Sequence, residues 1–467
     1  MSRRVAAALI VAAALGLARR AHAQDAVATP RPPSRLRDPE AQSDFQRLWT
    51  EESPLTFHLP RQAIATFYGG ERLSLYRDST QSFGAATHDN PIAEPGSYLG
   101  SHEQWSGSFA DSRWGAKLET PANASFSGIF LVELGLRGAD RPGAATVQTR
   151  HLFFGVRTPV VDVLLGQTDD LFAWGGRVPF PSTIASLGVP GEIYRRRTQI
   201  RLTHVFRFQP VDFELAACAT QPFHTDGYSY DRQLGIRLAI NAWRGAADQN
   251  GGPAATMPAQ LGLSGVRRRF LVDQFSAMPA GSYSVIGDGL ALNAFVPIVP
   301  SHGDDLSNAT SLSLEVSAGS GLADLYSGLT GGATIPVLPN PQMTLPPPYV
   351  QTFPTGVVTF DAGLKAQTID WRAIVLNFRY HLPIAQGRRI WAAATWSRTT
   401  SSNLRALTPS PGWGAIYPET RYYDASAFVS IWKGIHAALS YQVTRQLYAA
   451  GPDHENRRAQ LLVAYYF

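Results

Sequence analysis

The chain has 467 residues, of which 44% are hydrophobic and only 16% charged, so a disordered or collagen-like polymer is excluded. A single cysteine, Cys218, rules out an internal disulfide and any zinc site built from several cysteines. The formal charge of +5 invites a nucleic-acid reading, which the first element removes.

Ser2-Arg3-Arg4, the apolar run Val5 to Leu17 and the small-x-small triplet Ala21-His22-Ala23 predict a secretory signal peptide over 1–23. The run is shorter than the roughly 20 apolar residues a spanning helix needs. The segment carries four arginines and no acid, so +5 less four leaves +1 for the remainder. No nucleic-acid partner is expected. Residues 24–60 read as a Pro-rich periplasmic extension, and Asp38-Pro39-Glu40 predicts a short helix reaching about Thr50.

From residue 61 the helical period gives way to two-residue alternation between turn clusters. Ala459, Leu461, Val463, Tyr465 and Phe467 share one face, and Arg458, Gln460, Leu462, Ala464 and Tyr466 share the other. Arg113, Gly115, Lys117 and Glu119 likewise alternate with Trp114, Ala116, Leu118 and Thr120. A soluble sandwich shows the same alternation, so connections must decide. Tight ones (Pro121-Ala122-Asn123, Thr158-Pro159, Gln209-Pro210, Lys433-Gly434) alternate with long ones (80–101, 168–194, 320–356, 401–420). Short periplasmic turns and long outer loops are the habit of transmembrane barrels.

Candidate strands start near 63, 104, 124, 146, 160, 195, 211, 231, 259, 283, 309, 356, 369, 388, 421, 435 and 456. Closure with both ends on the periplasmic side needs an even number. The segment from Gly356 to Ala366 lacks a tight turn and is assigned to the preceding loop. The expected fold is therefore all-β: a 16-stranded antiparallel up-and-down barrel over 61–467, in a Gram-negative outer membrane. Trp105, Tyr230, Trp243, Trp371, Tyr380, Trp391, Tyr422, Tyr423, Trp432 and Tyr465 are expected in interfacial girdles.

The end Leu461 to Phe467 resembles the terminal strand of Gram-negative outer-membrane barrels, which finish on an aromatic residue. The resemblance implies that Tyr465 and Phe467 form a signal read by barrel-assembly machinery. Internal stretches are similar to the DcaP-type porins: Ser112-Arg113-Trp114-Gly115; Gly166-Gln167-Thr168 with Phe172 and Trp174; Gly188-Val189-Pro190-Gly191 with Arg197-Thr198-Gln199-Ile200-Arg201; and Gln367-Thr368-Ile369-Asp370-Trp371 with Tyr380-His381-Leu382-Pro383. That family often carries an N-terminal coiled coil, for which 24–60 lacks heptads. The resemblance implies a homotrimeric porin passing small, often anionic, solutes, set among outer-membrane lipid and lipopolysaccharide.

A porin needs a water-filled lumen with a narrowed, charged zone. The segment 168–194 is the expected constriction loop, with Asp169, Asp170 and Glu192. The strand after it places Arg195, Arg197, Arg201 and Arg207 on one face, and Arg113 and Lys117 extend the set. Arginine facing lipid costs about 2–4 kcal/mol at mid-membrane, so the lumen wins. Two roles stay open for these arginines: contact with solute carboxylates, or ion pairs within the wall. Lysine occurs only three times, which GC-rich codon use explains as well as selection for guanidinium forks. Arg267-Arg268-Arg269 reads as a solvated rim. No His/Cys/Asp/Glu spacing suggests a metal, and no cofactor is expected. Asp169-Asp170 and His436 with Ser440 lack the full base, orienting group and electrophile site of an enzyme. The reading is a non-enzymatic diffusion porin favouring anions such as carboxylates. The alternatives are a channel for neutral or cationic compounds, a barrel enzyme, and a barrel plugged by the 38–50 helix.

Overall fold

The computed structural model describes residues 55–467 except 84–90, 121–125, 139–144, 176, 180, 186–187, 209, 223–229, 249–254, 277, 329–330, 333–352, 362, 409–413 and 415. The signal segment 1–23, the 38–50 helix, the Pro121-Ala122-Asn123 turn and the proline cluster 336–348 lie outside the described residues.

Sixteen antiparallel strands close into a barrel. They are β1 (Ile64–Asp78), β2 (Gln104–Ser108 and Arg113–Glu119, interrupted), β3 (Ser127–Gly138), β4 (Ala145–Arg157), β5 (Asp162–Asp169), β6 (Arg196–Phe208), β7 (Val211–Thr220) and β8 (Asp231–Ala247). Then follow β9 (Ala255–Asp273), β10 (Ser282–Val299), β11 (Thr310–Ser320), β12 (Asp370–His381), β13 (Ile390–Ser401), β14 (Glu419–Trp432), β15 (Ile435–Leu447) and β16 (His454–Tyr466). Each strand pairs with its sequence neighbours, and β16 returns to β1 in the register Glu71↔Tyr465 and Asp78↔Arg458. Closure satisfies the backbone of every strand, as an apolar surround requires.

Closure ends on one contact. Gly69 and Phe467 exchange both backbone hydrogen bonds, at 3.0 and 3.1 Å. A Cβ on residue 69 would come within 2.7 Å of the Phe467 ring and 3.0 Å of the Arg113 carbonyl oxygen, so any larger residue there displaces the terminal ring. Below this point the edge of β1 is covered by a short strand, Leu55–His58, paired in the register Leu55↔Phe67 to His58↔Ile64. This strand lies inside the extension read over 24–60.

The faces follow the alternation in the sequence. On β16, Arg458, Gln460, Leu462 and Ala464 are buried inward, while Leu461, Val463 and Tyr465 are exposed on the outer wall. Tight connections are seen at 158–161, where Thr158 Oγ1 accepts from the Val160 and Val161 amides, and at Gly434, which takes φ +79°. Long connections lie at the other rim. The segment from Gly356 to Ala366 is not a barrel strand: Val358–Phe360 and Ala366–Thr368 form a separate small hairpin within the 321–369 loop.

The girdle expectation needs correction at three positions. Trp371, Trp391 and Tyr422 are fully buried on the inner face. All three make contacts there. Trp371 Nε1 donates to the Gly356 carbonyl at 2.9 Å, Trp391 stacks on Phe428 with centroids 5.2 Å apart, and the Tyr422 hydroxyl donates to Asp424 at 3.0 Å. Strand parity, which places odd and even positions on opposite faces, overrides aromatic identity here. Trp105, Tyr230, Trp243, Tyr423, Trp432 and Tyr465 do face outward. Among the described residues, no helix is long and apolar enough to cross a membrane.

Candidate functional site

The connection 170–195 leaves β5, turns inward and is pinned to the inner wall at its root, middle, tip and return. At the root, Arg197 on β6 donates from Nε to Asp170 Oδ2 at 2.8 Å, and its Nη1 meets Asp231 on β8. Asp231 also accepts from Arg268 Nε on β9 at 3.1 Å. Arg268 Nη2 continues to Asp324, in the 321–369 loop, at 2.7 Å. Carboxylates and guanidiniums thus alternate from Asp170 to Asp324, all buried. The Phe172 amide donates to Gln233 at 2.7 Å and the Ala173 amide to Ser264 at 2.8 Å, seating the first turn of the loop on β8 and β9.

In the middle, Arg177 reaches Glu214 on β7 at 2.8 Å, and Arg237 on β8 donates to the same carboxylate at 2.7 Å. At the tip, Ser182 Oγ donates to Asp248 at 2.7 Å, and its backbone exchanges hydrogen bonds with the Asn377 amide group. Thr183 Oγ1 donates to Asp424 on β14 at 2.8 Å, and Gln460 on β16 donates to the Ile184 carbonyl at 2.9 Å. The loop therefore spans from β6 to β12–β16. On the return, Ser397 donates to the Pro190 carbonyl at 2.6 Å, and the Ile193 amide donates to Glu315 at 2.8 Å. A bridge between Ile193 and Tyr326 ties this return to the 321–369 loop.

The structure brings together five of the residues singled out in the sequence: Asp169, Asp170, Arg195, Arg197 and Arg201. Asp169 pairs with Arg196 at 2.9 Å, and Arg195 donates to the Tyr326 carbonyl at 3.1 Å. Arg201 is held by neutral acceptors: Gln199 Oε1 at 3.0 Å and the Asp169 carbonyl. Arg113 stands apart on β2, 3.7 Å from Glu133, and Lys117 pairs with Glu119 at 2.9 Å. Arg207 is exposed at the opposite end of β6, across from Asp212 in the ladder. Glu192 lies at the return, accepting from the Val189 amide at 2.9 Å; burial and the nearby Glu315 push its carboxyl up to about 8.

Several members of the network escaped the sequence reading. Arg268 is one: Arg267 and Arg269 face outward, while the middle arginine points inward and is fully buried, not solvated. Its parity on β9 carried that signal. Glu133, Arg150 and Tyr194 are others. Arg150 donates to Glu133 at 2.9 Å and to the Tyr194 hydroxyl at 3.1 Å, and Arg196 donates to that hydroxyl at 2.6 Å, so Tyr194 joins the Arg113 group to the Asp169 group.

The arrangement is one of fixed charges and fixed dipoles. The Asp169 and Asp170 carboxylates each engage an arginine rather than each other. Ser440 donates to Asp424 at 3.2 Å, while His436 packs against the rings of Trp391 and Tyr466. Among the described residues no group of three His, Cys, Asp or Glu is placed to hold a metal.

No protein-family model matches the chain, and no curated protein does. Its fold matches solved structures. The outer membrane channel DcaP of Acinetobacter baumannii superposes with a TM-score of 0.59 at 13% identity, over 88% of this chain and 99% of that one. The anion-selective porin from Comamonas acidovorans reaches 0.48 at 9% identity, over 87% and 100%. OmpT, an outer membrane protein of Vibrio cholerae, reaches 0.45 at 11%, over 87% and 98%. The chain thus has the fold of the outer membrane channel DcaP, and its closed wall carries the apolar outer face that a membrane-spanning barrel needs.

Proposed function

We propose that the protein is a diffusion porin for small hydrophilic solutes, that the loop 170–195 narrows its lumen, and that it favours anions such as carboxylates. The carrying observation is the density of inward guanidinium along β2–β9 and on the loop that packs against them. Arg113 and Arg150 share one Glu133, Arg177 and Arg237 share one Glu214, and Arg201 is held by neutral oxygens. Opposite, the proton that Glu192 keeps up to about pH 8 removes one negative charge. A guanidinium-rich wall in a low-dielectric passage raises the local concentration of anions. Arg195, Arg197, Asp169 and Asp170 hold the loop root in this reading, and Arg113, Lys117 and Arg207 line the passage toward either end.

The test is the reversal potential of purified protein in a planar bilayer under a KCl gradient. Chloride selectivity is expected, cation selectivity refutes the sign, and a silent protein refutes the pore. In the same reading the subunits form homotrimers, and the strand ending in Tyr465 and Phe467 is recognised by the assembly machinery. Deleting Phe467 should sharply lower the amount recovered from the outer membrane, and an unchanged yield removes that role.

A further inference from the structure

The outer wall over β12–β15 carries a groove with a basic row at one end. Across these strands the ladder aligns Phe378, Ala394, Ala425 and Tyr441 in one lateral row. The row on the periplasmic side has Ala392 beside Ala427. Ala394 and Ala425 thus form a floor between Phe378 and Tyr441, with Trp396 and Tyr423 above it, in an open groove of about 530 Å³. The next outward row toward the long-loop rim aligns Arg398, Arg421 and Arg445, directly opposite one another on β13, β14 and β15.

Three like charges in lateral register oppose sheet pairing unless something lies across them. Within the chain they share two carboxylates. Glu419 accepts from Arg398 at 3.0 Å and from Arg421 at 2.6 Å, and Asp453 accepts from Arg445 at 2.8 Å. One guanidinium charge remains in excess, and all three side chains keep 36–47% of their surface open. Guanidinium forks match phosphate oxygens, and an exposed row of them at the edge of an apolar wall faces the headgroup layer. We propose that this face binds a phosphorylated glycolipid of the outer leaflet, one acyl chain lying in the alanine-floored groove and a phosphate on the Arg398–Arg421–Arg445 row. The inference rests on the outer-membrane reading above. Acyl chains gain nothing by leaving lipid for an apolar wall, so selection must come from the phosphate contacts and the fit of the groove.

The test uses full-length protein, purified in detergent and stripped of lipid, with bisphosphorylated lipid A as probe and native mass spectrometry as readout. Wild type should bind in a saturable way. Affinity should fall by about tenfold, or 1.4 kcal/mol, in Arg421→Gln/Arg445→Gln and again in Ala394→Trp, which fills the groove. Wild-type affinity in either variant overturns the proposal. So does equally tight binding of dephosphorylated lipid A or of inorganic phosphate, or loss of oligomers in Ala394→Trp, which would make the groove a subunit contact. Conductance of the same samples reads folding and the pore separately: a conducting protein that binds no lipid A refutes only this site.

Discussion

Two regions of the inner wall hold the same loop by different chemistry. Strands β6–β9 grip its root and middle through buried ion pairs, Arg197 with Asp170 and Arg177 with Glu214, and Arg197 is linked through Asp231 to the Arg268–Asp324 pair that holds the 321–369 loop. Strands β12–β16 hold its tip and return through amides and hydroxyls, Asn377, Ser397 and Gln460, with Asp424 receiving a hydroxyl. Breaking one partner of a buried ion pair costs about 3–5 kcal/mol, because a charge is left unpaired. A neutral hydrogen bond nets about 0.5–1.5 kcal/mol, and one from a hydroxyl to a carboxylate, as at Ser182 and Thr183, about 1.5–3 kcal/mol. The root is therefore the fixed end of the loop, and the tip is the end that yields first.

Four substitutions or conditions test that contrast. Arg268→Ala strands the buried Asp324 carboxylate, while Asp231 keeps Arg197, and should lower unfolding stability by about 3–5 kcal/mol in urea titration of lipid-embedded protein. A loss below about 1 kcal/mol would mean the network is solvated. Ser182→Ala/Thr183→Val should lower stability by about 1.5–3 kcal/mol per contact, since both hydroxyls donate to carboxylates, while making single-channel current noisier. A quiet channel of wild-type size would show that the tip is held by packing instead. Third, Arg201→Ala should reduce the chloride preference in the KCl gradient more than Arg207→Ala, which sits at the exposed end. Equal effects would deny the constriction its place.

The smallest effect concerns pH. The Glu192 carboxyl is raised to about 8 in the folded state, so it is neutral at pH 7 and ionises above that value. A raised value means stability fully present below about 4.5 and lost as pH rises through about 8. Chloride preference should therefore dip between pH 7 and 9, and Glu192→Gln should remove the dip. A dip that persists in that variant assigns it to another group.

The sequence made strand parity legible. Arg197, Gln199, Arg201 and Thr203 on the inner face, and Leu461, Val463 and Tyr465 on the outer, follow from alternation alone. The position of the inward loop came from the resemblance of the 166–174 and 188–201 stretches to DcaP-type porins, since 320–356 is a longer connection. Partnerships were not. Asp231 and Asp324 meet Arg197 and Arg268 only because strand tilt and a second loop bring distant segments to one height. Arg268 hid between two outward arginines, and Trp371 and Trp391 looked like girdle residues because composition says nothing about which way a side chain points.

The β-bridge at Ile193 and Tyr326, closed by the Ser327 amide on the Glu192 carbonyl, has a mechanical consequence together with the Arg268–Asp324 pair. The inward loop and the buried segment 321–328 are braced as a single truss, with Arg197 at the loop's root. Because 321–328 is wholly buried, the two segments share one set of supports, and a substitution that loosens either is expected to loosen both.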